Sequence, residues 1–197
     1  MTLLVSIVVL AYIVEALLDH LNQGTARNPL DKKIAHLYDQ NEREKSIAYT
    51  YEKTRFGFVL ATSSTVVMIL ALAYGWFAKL DEIVRDRFTN EIQVSLTFIG
   101  ALGLLSWLLK LPFQLYGIFK IEAKYGFNKT TVKTFFVDAV KGFIVAALLG
   151  GALLTAILWL YQELQNGFWI SAWLLVTAFS LFTVSYTHLT LPTTSRV

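Results

Sequence analysis

The chain has 197 residues, 55% of them hydrophobic and 16% charged, with a formal net charge of +3. A soluble domain carries about 25% charged residues, so this composition and a mean hydropathy of +0.54 point to a membrane protein. The small net charge argues against nucleic acid as a partner, and the lack of cysteine excludes disulfides and thiolate metal sites.

A helix needs about 20 apolar residues to cross a hydrocarbon core about 30 Å thick. The first apolar run, residues 3–18, is interrupted only by Glu15. No basic segment precedes it and no small-x-small cleavage site follows, so it reads as a span rather than a signal peptide. Glu15 and Asp19 lie four apart and share a helix face. They mark either the headgroup end of the span or a polar face turned to a watery cavity. A long polar loop follows, in which Ile34, Leu37 and Tyr38 fall at helical spacing and predict a short interfacial helix.

Residues 56–78, 92–109, 142–161 and 168–184 form four further runs without a single charge. The predicted fold is all-α: a polytopic membrane helix bundle of five transmembrane helices with a cytoplasmic helical hairpin between the third and fourth. Loops one and three hold twelve of the seventeen Lys and Arg. The positive-inside rule places both in the cytoplasm and the N-terminus outside. Trp76, Trp159, Tyr161, Phe168 and Trp169 then fall at the outer interface. In the fourth span Gly142, Ala146 and Gly150 recur every four residues, which predicts close packing against a neighbouring helix of the bundle.

The hairpin reads "LPFQLYGIFKIEAKYGFNKTTVKTFF", from residue 111. Pro112 can kink the third span or loosen its inner end. Gly126 suits a left-handed helix stop, and Asn128 suits the N-cap of the next helix. Asp138 and Lys141, three apart, are placed to pair one turn before the fourth span.

The order Leu111, Pro112, Phe113, Tyr116, Phe119, Ile121, Glu122, Lys124, Gly126, Phe127, Asn128, Thr131, Phe135, Phe136, Asp138 and Lys141 strongly resembles the CAAX prenyl protease family of integral-membrane zinc metallopeptidases. The upstream "SIAYTYEKTRFG", residues 46–57, is similar to that family's entry into its second span. The resemblance covers roughly residues 3–184 and implies the family's N-terminal five-helix region. It implies a parent enzyme that cleaves prenylated CAAX proteins or other membrane-protein substrates and encloses a large intramembrane chamber. The location implied is a bacterial inner membrane or the endoplasmic reticulum, with the lipid bilayer as the first partner. Pro112, Glu122, Gly126, Phe127, Asn128, Asp138 and Lys141 are expected to organise the hairpin rather than to catalyse.

The family's zinc is held by an H-E-x-x-H helix and a later Glu. Here His20, His36 and His188 are each followed by Leu, so that motif does not occur. No catalytic residue, metal ligand or cofactor is therefore assigned within this chain. Zinc is expected in the full-length parent, from a C-terminal catalytic segment outside these residues. After residue 184 the string "SYTHLTLPTTSRV" is expected to break the fifth span. It resembles translated sequencing-adaptor DNA, so 185–197 reads as a non-native tail and 1–184 as the membrane region; a genuine disordered tail is the alternative. The competing functional reading is a complete small five-span transporter or assembly factor. It would call for ionisable residues in mid-membrane, and the second, fourth and fifth runs have none.

Overall fold

The computed structural model describes residues 1–26 and 39–190. Its helices in chain order are α1 (Thr2–Ala26), α2 (Gln40–Ala73), α3 (Trp76–Arg85), α4 (Glu91–Tyr116), a π-helical segment (Gly117–Glu122), α5 (Ala123–Tyr125), α6 (Val132–Leu164), a 3-10 turn (Gln165–Gly167) and α7 (Phe168–Thr190). Five helical stretches are long and apolar enough to cross a bilayer. The interfacial helix expected around Ile34, Leu37 and Tyr38, and with it His36, lies outside the described residues.

Three of the spanning helices outrun the bilayer. At 1.5 Å per residue, the 34 residues of α2 measure about 51 Å, well beyond a core of about 30 Å. The second span is thus the lipid-embedded part of a longer rod. The reason is local. Asp39 caps the helix, its carboxylate accepting from the Asn41 N–H at 2.8 Å. The polar residues 40–55 contain good helix formers and no breaker. Hydropathy reports where lipid begins, not where the helix does.

The far end of the second span differs from expectation. The helix stops at Ala73, where Gly75 turns left-handed at φ 65°. Residues 76–78, expected in the span, and residues 79–85, expected to be loop, together form α3, a helix with Trp76, Leu80 and Val84 on one side and charges on the other. Arg85 bonds Asp81 at 3.0 Å and Glu91 at 2.9 Å, which ties α3 to the start of α4. Glu91 and then Asp81 hold the Arg85 guanidinium above its already high ordinary range. Asn90 caps α4 by accepting from the N–H groups of Ile92 and Gln93.

Neighbours in sequence are neighbours in space: α1 with α2, α2 with α3, α3 with α4, then α4 with α6, and α6 with α7. Tyr12 of α1 hydrogen-bonds Thr62 of α2 at 2.7 Å. Trp107 of α4 meets Phe143 of α6, and Tyr161 of α6 meets Phe168 of α7. Buried hydrophobic residues gather toward the two ends: Ala71, Val84 and Val94 at one, Ile121, Tyr125 and Phe135 at the other. Along the middle, side chains such as Leu105, Leu148 and Trp173 stand exposed, as they do where the solvent is hydrocarbon.

Two further expectations are corrected. The Gly142–Ala146–Gly150 stripe does not pack within the described residues. A methyl added at Gly142 or Gly150 would meet nothing within 4 Å, because Phe143, not the stripe, faces α4. The break expected after residue 184 is one of hydropathy and not of backbone: the candidate span is Phe168–Ser185, but α7 runs on to Thr190. Nothing in residues 185–190 breaks a helix, and Pro192 is the first residue that disfavours one.

Candidate functional site

A polar constellation sits where the hairpin meets the polar end of α2. Pro112 lies inside α4 without ending it. The helix then widens into the π segment, a form in which each turn takes in an extra residue. At its exit Ile121 is buried, and so is Tyr125 four residues on.

Gly126 stops the helix at φ 79° and ψ 15°, a left-handed conformation that glycine adopts without steric cost. The Phe127 N–H donates to the Glu122 carbonyl at 2.9 Å, and the Gly126 N–H to the Ala123 carbonyl at 3.1 Å. That nested pair is the Schellman arrangement, which satisfies carbonyls a helix end would otherwise leave open.

Asn128 is not the cap of α6. Its side chain accepts from the Thr130 N–H at 2.7 Å, which makes a local Asx turn. The cap is Thr131, whose hydroxyl accepts from the Thr134 N–H at 3.2 Å and whose carbonyl accepts from the Phe135 N–H at 2.9 Å. Asn is a strong capping type, but here it is spent on a turn that begins three residues earlier. Asp138 and Lys141 are both exposed on α6 and do not pair. Ion pairs do form elsewhere, between Arg85 and both Asp81 and Glu91, and between Lys124 and Glu52.

That last pair is the centre of the site. The Lys124 ammonium meets a Glu52 oxygen at 2.6 Å, and the Tyr125 hydroxyl donates to the same oxygen at 2.9 Å. Tyr49, one turn before Glu52, takes Tyr125 and Phe127 edge-on at 5.3 and 4.9 Å between ring centres. Phe56, one turn after it, stacks on Tyr116 at 5.0 Å and would lie 3.7 Å from a methyl placed on Gly117. Lys53 donates to the Tyr49 hydroxyl at 3.2 Å. Tyr49, Glu52 and Phe56 thus form one stripe on α2 at helical spacing. Sequence reading held all three within a quoted motif but did not single them out. Their spacing of three and four was the signal available.

Chemically this is a clasp. Its one carboxylate is engaged by an ammonium and a phenol, and no nucleophile stands beside a base. Among the described residues no group of three or more His, Asp or Glu is placed to hold a metal ion. His20 lines a cleft between α1 and α2 with Asp19, Tyr51 and Arg55, and is not among the residues of the clasp.

Fold and site together define a multi-pass, all-helical integral membrane region with a clasped extramembrane hairpin. A sequence profile described as "CAAX prenyl protease N-terminal, five membrane helices" matches residues 18–193. A CAAX prenyl protease 1 homolog of Arabidopsis thaliana is 34% identical over 83% of this chain and 40% of its own length. The homologs of Oryza sativa subsp. japonica and Homo sapiens are 32% and 31% identical, over 79% and 78% of this chain. The crystal structure of S. mikatae Ste24p superposes with a TM-score of 0.82 at 22% identity, over 92% of this chain and 44% of that one.

The chain belongs to the CAAX prenyl protease family, as its N-terminal five-helix membrane region. It spans about two fifths of the length of the relatives it matches. It is a multi-pass integral membrane protein of the endoplasmic reticulum or a bacterial inner membrane.

Proposed function

We propose that these residues form part of the wall of an intramembrane chamber in a zinc-dependent endopeptidase acting on prenylated CAAX proteins or other membrane-protein substrates. The observation that carries the reading is the pairing of a family match over residues 18–193 with coverage of only 40% of the relative's length. The relatives are named as proteases, and H-E-x-x-H does not occur in this sequence. Among the described residues no cluster of His, Asp or Glu fits a catalytic zinc, which takes three protein ligands and keeps one position open. No step is assigned to them. Their part is to hold the spans and the hairpin in register for a C-terminal catalytic segment. The exposed small-residue stripe of α6 offers that segment a surface for close approach.

The test is to purify the chain in nanodiscs, measure zinc by elemental analysis, and assay a farnesylated CAAX peptide with and without chelator. The chain is then co-expressed with the C-terminal remainder of the Arabidopsis relative and assayed again. The chain alone should neither hold stoichiometric zinc nor cleave, and the pair should cleave in a chelator-sensitive way. Chelator-sensitive cleavage by the chain alone would sink the proposal.

A further inference from the structure

A second polar constellation uses other side chains of the same stretch of α2. Tyr12 holds α1 against α2 through its bond to Thr62 and its contact with the Phe58 ring at 6.0 Å. Toward the start of α2 a cleft of about 270 Å³ opens between the two helices. Ala16 and Phe58 give it apolar walls, and Asp19, His20, Tyr51 and Arg55 give it polar ones.

The level of this cleft is fixed by the sequence. Asp19 and His20 directly follow Leu18, the last residue of the first apolar run. Arg55 directly precedes Phe56, the first residue of the second. Both helices therefore turn from apolar to polar at the cleft, where hydrocarbon gives way to headgroups.

The charges there are opposite and do not neutralise each other. Neither Asp19 nor Arg55 forms an ion pair with any described residue. A guanidinium presents a planar fork of donors that matches phosphate. A carboxylate only accepts, so it matches a group with N–H donors. The volume equals roughly nine liquid waters, room for a phosphate joined to a short amine.

We propose that the α1–α2 cleft binds the headgroup of an amine-bearing phospholipid, its phosphate on Arg55 and its ammonium on Asp19. The apolar walls then receive the first carbons of the lipid. A purely anionic headgroup would set its charge against Asp19. A quaternary ammonium would bring no N–H for the carboxylate.

The experiment is native mass spectrometry of the full 197-residue chain from detergent, with phosphatidylethanolamine, phosphatidylcholine and phosphatidylglycerol supplied in equal amounts. The wild type should retain phosphatidylethanolamine about tenfold over the other two, as one charge-assisted hydrogen bond provides. Arg55→Gln should lower retention of all three, and Asp19→Asn should erase the preference for the amine while phosphatidylglycerol still binds. Equal retention of the three lipids by the wild type overturns the proposal, and that comparison needs no variant to fold. A preference that survives both substitutions also overturns it. Displacement of the lipid by inorganic phosphate alone would assign the cleft to a free anion instead.

Discussion

Replacing Gly126 by Ala isolates what the hairpin turn contributes. The residue sits at φ 79° and ψ 15°, where an L-residue incurs about 1–2 kcal/mol of backbone strain. A methyl there meets nothing within 4 Å, so no clash adds to it. Ala also narrows the unfolded ensemble, which offsets about 0.4–1 kcal/mol. The net loss is about 1 kcal/mol, or about 2–4 °C in Tm for a chain of this length. The control is Gly142→Ala in α6, equally open but in ordinary helical conformation. There the same methyl should stabilise by about 0.5–1 kcal/mol. Thermal unfolding in nanodiscs, followed by circular dichroism, reads both. Amide exchange at Phe127, whose N–H is held by the Glu122 carbonyl at 2.9 Å, should quicken only in the Gly126 variant. If the two substitutions shift Tm in the same direction, the left-handed turn is not what the sequence needs glycine for.

Three further outcomes are expected. Thr131→Ala removes the cap of α6 and should cost about 1 kcal/mol, measurably more than Asn128→Ala, which loses only a local turn; the reverse order in thermal unfolding would return the cap to Asn128. Glu52→Ala removes both polar contacts made by Glu52 and should speed amide exchange across residues 123–127 more than Lys124→Met, which leaves the Tyr125 bond; unchanged exchange in both would mean the Glu52 contacts do not hold the hairpin. The N-K-T sequence at Asn128 should stay unglycosylated in microsomes, because loops one and three carry the basic residues; a glycan there would invert the topology.

What the sequence discloses depends on the physical signal each feature leaves. The five spans are legible because a bilayer demands long charge-free runs, and 92–109 or 142–161 can hardly be read otherwise. The family is legible in the hairpin, whose glycine and aromatics stand at fixed offsets. Helix ends are not, because hydropathy falls silent at the headgroups while the backbone coils on through residues 40–55. The Gly75 break escapes for the opposite reason: a lone Gly in an apolar run carries no mark of its backbone angle. Asn128 and Thr131 compete for one cap, and composition cannot rank them. Glu52 was hidden because its partners lie beyond two spans, where no local pattern reaches.

That separation also sets a timetable for biosynthesis. Glu52 stands 72 and 73 residues ahead of Lys124 and Tyr125. At about 5–20 residues per second, a ribosome takes about 4–14 s to make that interval. Meanwhile the second and third spans must be threaded through the membrane in opposite directions. The Glu52 carboxylate waits in water until the third span delivers its ammonium and phenol to the same side. A third span inserted the wrong way round would carry Lys124 and Tyr125 across the bilayer, so the contact closes only on correctly threaded chains.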